Sequence, residues 1–131
     1  MGKAEVEQCE ILKDRGDNAY KVLARKAYER GRSLYGIRQD NPTPYYIIAK
    51  SRVFLNRTMK ALDILQIGLR ISPNSPEMLV LLGDIYATDQ DTRQKAIEAY
   101  SRALEIKSGD SDFARVVEKK MQRMSDTNII N

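Results

Sequence analysis

The stretch "LLGDIYATDQDTRQKAIEAYSRALEI", residues 81 to 106, decides the fold of this chain. Apolar residues recur every three or four positions on both sides of a polar turn, and this spacing predicts two amphipathic helices. Gly83, Ala96 and Ala103 are small residues inside otherwise bulky runs. Because two helices approach closely only where a small side chain leaves room for a larger one opposite, these positions mark the predicted line of contact.

The helix start signals around this stretch return at a fixed interval. Pro42 and Pro76 lie 34 residues apart, directly behind the potential capping residues Asn41 and Ser75. Proline at the first helical position costs no hydrogen bond. Asp110 provides another start signal a further 34 residues on. The interval therefore predicts a repeated helical unit.

The apolar period along the whole chain predicts an all-α protein. A weaker pattern before residue 41 indicates one more helix pair, whose internal turn is marked only by Gly16. We expect a single domain over residues 1 to 124, closed by a capping helix, and a flexible tail at 125 to 131. The predicted helices are 43 to 55, 58 to 71, 76 to 88, 92 to 106 and 111 to 124.

Composition bounds the class of protein. The chain has 131 residues, of which 42% are hydrophobic and 31% charged, so it is long enough to bury a core. It has no apolar run of the roughly 20 residues that a bilayer span needs, and it does not open on a signal-peptide pattern. From these features we expect a soluble, cytoplasmic protein.

The absence of histidine restricts the chemistry that the chain can perform. It removes Ser-His and Cys-His dyads and the HExxH zinc site, and no glycine-rich phosphate loop is present. The stretch "SGDSD" at 108 to 112 lacks the ligand spacing of a calcium loop. Cys9 is expected to be a small buried hydrophobe. The sequence thus predicts no enzymatic activity, no cofactor and no metal.

The positive charge is concentrated in the middle of the chain. Residues 42 to 75 carry 5 Lys+Arg against 1 Asp+Glu, whereas residues 76 to 110 carry 4 against 7. Such a segment could attract acidic peptides or a nucleic-acid backbone. Because its basic residues do not alternate with a regular series of aromatic residues, a solvated helix surface is the favoured interpretation, and nucleic acid is disfavoured as a partner.

The pattern of large and small residues resembles the tetratricopeptide repeat (TPR), a 34-residue helix-turn-helix unit. The match is closest in residues 76 to 110, and residues 42 to 75 match except that Arg52 occupies a position usually held by an aromatic residue. Residues 8 to 41 form a degenerate repeat. The matching residues are Tyr45, Ile48, Ala49, Ala61, Leu65, Gly68 and Pro73 in the earlier unit, and Leu79, Leu82, Gly83, Tyr86, Ala96, Tyr100 and Ala103 in the later one.

The resemblance implies a right-handed superhelix of antiparallel helix pairs, with a concave groove that binds a peptide or an amphipathic helix. A role as an adaptor or scaffold in protein binding follows as the leading expectation. The alternative is a structural or self-associating TPR module within a larger assembly. The groove positions that carry over from the family are Tyr46, Ile47, Lys50, Val53, Phe54, Val80, Leu81 and Asp84.

Some TPR domains hold the C-terminal carboxylate of chaperones with a clamp of Lys, Asn, Asn, Lys and Arg. Lys13 can stand for the first lysine here. The other four positions read Asp17, Ile47, Glu77 and Leu81, which would present acids and aliphatic side chains to a carboxylate. The sequence therefore disfavours a chaperone C-terminal carboxylate as the partner.

A second candidate surface lies on the helix "RTMKALDILQIGLRI", residues 57 to 71. Met59, Ile64 and Ile67 fall beyond the stripe that a TPR helix buries against its neighbours. Exposed, they would form an apolar patch for a second copy of the chain or for another domain, and a homo-oligomer is one expectation. Burial under a neighbouring repeat is the alternative that the sequence leaves open.

Overall fold

A computed structural model describes the backbone of residues 2–37 and 41–130, and the side chains of residues 4–34 and 41–125. This described part is all-α, as predicted, with no strand. A short 3₁₀ turn, Gln90–Thr92, precedes the sixth helix. The helices are α1 Gly2–Asp14, α2 Ala19–Ile37, α3 Pro42–Phe54, α4 Thr58–Ile71, α5 Pro76–Tyr86, α6 Arg93–Ile106 and α7 Ser111–Ile130.

The predicted helix starts at the two prolines are confirmed. Pro42 begins α3 behind Asn41, whose Oδ1 accepts a hydrogen bond from the Thr43 backbone N–H at 3.0 Å. Pro76 begins α5 behind Ser75, whose Oγ accepts from the Met78 N–H at 3.4 Å. Each cap satisfies a backbone donor that the first turn of a helix leaves unpaired, and this fixes where the helix starts.

The first helix pair, whose turn the sequence did not resolve, has its reversal at residues 15 to 18. Gly16 adopts a left-handed conformation with φ of 74°, which glycine reaches without steric cost. The Asp17 side chain then accepts from the Ala19 N–H at 2.9 Å and starts α2. Helix α1 begins at Gly2, six residues before the start of the degenerate repeat predicted at 8 to 41. Helix α7 continues to Ile130, beyond residue 124, where the capping helix was predicted to end.

The chain divides into two compact units, Met1–Pro73 and Asn74–Asn131, at the boundary between the two closest repeat matches. In the first unit α1 packs on α2, α2 on α3 and α3 on α4, and α1 also contacts α3. Its core joins three helices through Val6, Cys9, Ala24, Ala27, Ile47 and Phe54. In the second unit α5 packs on α6 and α6 on α7, around Ala96, Tyr100, Val117 and Met124.

Small residues make the close helix contacts that the sequence predicted. A Cβ added at Gly83 of α5 would lie 2.5 Å from Cε1 of Tyr100 on α6, so only a hydrogen fits there. Ala96 and Ala103 on α6 are fully buried. In the first unit, a Cβ at Gly31 would lie 2.8 Å from Cγ1 of Ile48, which gives α2 and α3 the same kind of contact.

Candidate binding surfaces

In the first unit, two lysines flank one aromatic ring where α1 meets α3. The Lys13 Nζ lies 5.7 Å and the Lys50 Nζ 5.6 Å from the centroid of the Phe54 ring. Lys13 also lies 5.8 Å from the ring centre of Tyr20, whose ring is tilted against Phe54 at 6.2 Å. An ammonium over an aromatic face is attracted by the ring quadrupole. The ammonium groups of Lys13 and Lys50 are thereby both held close to the Phe54 ring.

Lys50 is the more constrained of the two lysines. Its side chain is only 13% exposed, and its Nζ lies 3.6 Å from Oε1 of Glu10, a side chain that is 53% exposed. An ion pair with one largely solvated partner contributes little to stability. The Glu10 carboxylate can therefore be replaced by another acid at small cost, which leaves Lys50 available to an acidic ligand.

The groove residues predicted for this unit divide by burial. Ile47 and Phe54 are 1% and 5% exposed and belong to the core, so a ligand reaches little of either side chain. Tyr46, Lys50 and Val53 are half-buried. The surface that a partner can touch is therefore formed by these three residues, together with the exposed Lys13. From here on we call these four residues the α1/α3 surface.

In the second unit, the side chain of Asp84, a predicted groove residue, contacts two other side chains of the same unit. Tyr100 donates its hydroxyl hydrogen to Oδ1 of Asp84 at 2.6 Å, and Lys120 of α7 lies 3.1 Å from the same oxygen. Burial, followed by the hydrogen bond to Asp84, raises the pKa of the Tyr100 hydroxyl well above its usual value. The three side chains tie α5, α6 and α7 together, and both oxygens of Asp84 contact Lys120.

The two other groove residues predicted in this unit offer little surface. Leu81 is 2% exposed, and the half-buried Val80 packs against the core. A cavity of about 490 Å³ opens beside Asp84 and Lys120, bordered by α5, the start of α6 and α7. The contact between Lys120 and Asp84 was not predicted. A lysine on the otherwise apolar face of the last helix was a signal that could have indicated it.

The candidate patch on α4 is exposed at two of its three predicted residues. Met59 is 73% and Ile67 38% exposed, whereas Ile64 is half-buried. Ile71, one turn after Ile67, is 41% exposed and adjoins it, whereas the exposed Asp63 lies between Ile67 and Met59 on the same side of the helix. The α4 patch is therefore Met59, Ile67 and Ile71.

Arg52, at a position where the resemblance led us to expect an aromatic residue, lies over an aromatic ring. Its guanidinium carbon lies 5.4 Å from the ring centre of Tyr28 on α2. Its Nη1 also donates to the backbone oxygen of Lys60 at 3.0 Å. A planar guanidinium can lie over an aromatic face, so Arg52 brings a positive charge to the Tyr28 ring.

Cys9 is buried, as expected. Its Sγ lies 3.5 Å from the carbonyl oxygen of Tyr20 and can donate to it. Burial, with a smaller contribution from the Glu5 carboxylate, raises the pKa of the thiol to about 11. The group is thus a protonated thiol at neutral pH, and its reactivity as a nucleophile is low.

No family model matches the chain, and no curated protein matches it. Within the part of the chain that the structure describes, no helix is long and apolar enough to span a membrane. The same described residues include no cluster of three or more Cys, Asp or Glu side chains placed to hold a metal ion.

Proposed function

We propose that this chain is a protein-interaction module of the TPR type, an adaptor or scaffold without catalytic activity that binds a peptide or an amphipathic helix. The observation that carries the proposal is the α1/α3 surface, where two ammonium groups flank the ring of Phe54 beside half-buried Tyr46 and Val53. A few charges beside partly covered apolar side chains are typical of a site that anchors a peptide.

The packing order within the first unit supports the TPR assignment. Each helix packs on the next, and the first helices of the two pairs, α1 and α3, also contact each other. A solenoid of helix pairs requires this side-by-side contact, since each pair must bury its apolar face against its neighbour. We infer that the α1/α3 surface is part of the concave groove of a right-handed superhelix.

The ligand that suits this surface carries an acidic residue beside an apolar one. The acid would take the place of Glu10 next to Lys50, and the apolar side chain would lie against Tyr46 and Val53. A chaperone C-terminal carboxylate remains a poor candidate, because Ile47 and Leu81 occupy two clamp positions and are buried aliphatics without a donor. Nucleic acid remains disfavoured, since its binding would be dominated by phosphate contacts and would weaken steeply with salt.

The test is to select binding peptides from a random display library and to measure their affinity by fluorescence anisotropy. We expect the selected peptides to combine acidic and apolar residues. Lys50→Gln should weaken them about tenfold or more, since a charged hydrogen bond contributes about 1.5–3 kcal/mol. Tyr46→Ala should weaken them through lost apolar contact. Ile47→Ala is unsuitable, because it would remove buried core volume and lower stability.

The matched control is Lys26→Gln, which removes the same charge from an exposed position on α2. It should bind the selected peptides as wild type does. Circular dichroism must show that all variants keep their helical content. If correctly folded Lys50→Gln and Tyr46→Ala proteins bind the peptides as tightly as wild type, the α1/α3 surface is not the binding site.

A self-associating module is a second candidate, and the exposure of Met59, Ile67 and Ile71 on α4 favours it. Three exposed apolar residues on one helix provide the kind of area that a second copy of the chain could cover. The two functions are compatible, because the α4 patch and the α1/α3 surface share no residue.

A further inference from the structure

A second cavity, of about 260 Å³, lies in the first unit and is bordered by basic side chains. Three of its lining residues are arginines and one is a glutamate, which leaves an excess of two positive charges around a small space. The lining residues are Arg25, Tyr28, Glu29, Arg52, Leu55 and Arg57. They come from α2, α3 and the turn that joins α3 to α4. We call this the arginine cavity.

One of the arginines is fixed in position by the fold. Arg52 is half-buried, stacks on Tyr28, and donates to the Lys60 carbonyl, as described above. Its Nη2 lies 3.5 Å from the Tyr28 hydroxyl oxygen. Arg32 lies over the same ring, with its guanidinium carbon 5.9 Å from the centroid. A side chain restrained in this way loses little further freedom when it binds a ligand.

The positive character of the cavity also affects Tyr28 itself. The hydrogen bond from Arg52, with smaller contributions from the charges of Arg52 and Arg32, lowers the pKa of the Tyr28 hydroxyl despite partial burial. The field around this ring thus favours negative charge.

The other two arginines, Arg25 and Arg57, are exposed at the border of the cavity. Among the residues that the structure describes, neither forms an ion pair with a carboxylate. Like charges gathered around one space repel one another, and that repulsion is relieved when an anion binds between them. The arrangement is thus suited to a ligand with more than one negative charge.

A phosphoryl group meets this requirement better than a carboxylate does. A phosphorylated side chain carries a charge of about −1.5 to −2 at neutral pH and has three strong acceptor oxygens. Guanidinium groups pair with such oxygens in a bidentate manner. At about 30 Å³ per water molecule, the cavity volume corresponds to about nine waters, which is room for one phosphoryl group and part of its hydration shell.

The arginine cavity is separate from the α1/α3 surface. Lys50 and Arg52 are two residues apart on α3, so their side chains leave the helix at directions about 160° apart. No residue lines both places. A ligand in the cavity therefore does not compete with the peptide contact proposed for Lys50.

We propose that the arginine cavity binds the phosphoryl group of a phosphorylated side chain on a partner polypeptide, with Arg25, Arg52 and Arg57 as its ligands. That the partner is a polypeptide rests on the proposed function; that the cavity takes a phosphoryl dianion rests on its own residues. A compact cavity suits a single phosphoryl group better than the extended backbone of a nucleic acid, which requires a continuous basic track.

The first test uses inorganic phosphate, which requires no peptide. The ¹⁵N-labelled full chain is titrated with phosphate, and with chloride at matched ionic strength, and the amide and arginine side-chain signals are followed by NMR. We expect saturable shifts at Arg25, Arg57 and Tyr28 with phosphate only. In the Arg25→Gln, Arg57→Gln variant the affinity should fall by at least about tenfold, because two charge-assisted hydrogen-bonding groups are lost.

The matched control is Arg15→Gln, Arg70→Gln, which removes the same charge from exposed positions in the turn between α1 and α2 and on α4. It should bind phosphate within about twofold of wild type, since surface charges away from the site are largely screened at physiological ionic strength. Shifts that do not saturate, or an equal loss of affinity in the control variant, would overturn the proposal.

The second test identifies the source of the phosphoryl group. A phosphoserine-centred peptide library, the same library without phosphate, anionic lipid vesicles and a single-stranded RNA are compared on wild type and on the Arg25→Gln, Arg57→Gln variant. Preference for the phosphorylated library, lost in the variant, supports the proposal. Tighter binding to vesicles or to RNA that is lost in the same variant would overturn the polypeptide partner. Lys50→Gln should leave phosphate binding unchanged, so a failure of the groove proposal is distinguishable from a failure here.

Discussion

Gly83→Ala is a direct test of the helix contact on which the second unit depends. The added Cβ would lie 2.5, 2.6 and 2.9 Å from Cε1, Cδ1 and Cζ of Tyr100. Carbon atoms pack favourably only at about 3.5–4.0 Å, so the Tyr100 ring or the backbone must move. The ring is 2% exposed, and its hydroxyl is bonded to Asp84, so it has little freedom to turn away.

The expected loss of stability follows from three contributions. Overpacking of a core costs about 1–3 kcal/mol, and moving the ring would break a hydrogen bond to a charged group, which is worth about 1.5–3 kcal/mol. Replacing glycine by alanine inside a helix stabilises the helix by about 1 kcal/mol. Either the ring moves, which removes the steric overlap and breaks the hydrogen bond, or it stays, which keeps the hydrogen bond and the overlap. The two costs therefore do not add in full, and we expect a net loss of about 1–3 kcal/mol.

The assay is urea unfolding of the full chain followed by circular dichroism. Gly109→Ala is the matched control, since a Cβ there meets nothing within 4 Å. A second control is Tyr100→Leu, alone and combined with Gly83→Ala. If the overlap with the ring is the cause, the Gly83 substitution should cost less in the leucine background. A Gly83→Ala protein as stable as wild type would refute the reasoning.

Two further predictions concern α7 and α4. Lys120→Met should lower the free energy of unfolding by about 1 kcal/mol and speed amide exchange in α7, because Asp84 loses its ion pair with Lys120 and keeps its hydrogen bond to Tyr100. The control is Lys119→Met, at an exposed position of the same helix. Equal exchange rates in the two variants would contradict the prediction. Met59→Glu, Ile67→Lys, which leaves half-buried Ile64 in place and net charge unchanged, should abolish concentration-dependent association in sedimentation. Wild type that stays monomeric at high concentration would exclude the α4 patch as a homodimer contact.

The sequence predicted the middle of the fold well because its signals there are local. A capping side chain followed by proline acts within one helical turn, so Asn41 with Pro42, and Ser75 with Pro76, placed the starts of α3 and α5 correctly. Before residue 41 the sequence has no such signal, and it did not predict where α1 starts. The continuation of α7 beyond Met124 was missed because the apolar period ends there while helical backbone does not.

The candidate site was harder to predict, because helical periodicity shows which side of a helix is apolar without showing what lies over it. Ile47, Phe54 and Leu81 were carried over as groove positions and are buried, while Tyr46, Lys50 and Val53 keep some exposure. That Lys13 approaches Phe54 depends on how α1 packs against α3, which is a tertiary contact between residues far apart in sequence.

The basic middle of the chain shows how a charge count can mislead about a partner. Counted along the sequence, Lys50, Arg52 and Arg57 form one positive segment that would suit a nucleic-acid backbone. The helix separates them: Lys50 lies with Lys13 beside Phe54, whereas Arg52 points about 160° away, lies over the Tyr28 ring and borders the arginine cavity with Arg57. A single straight strand cannot follow both sides of one helix, so few of these charges could neutralise phosphates together. Since the salt dependence of nucleic-acid affinity grows with the number of phosphates neutralised, the separation itself argues for two small anionic contacts in place of one extended polyanion.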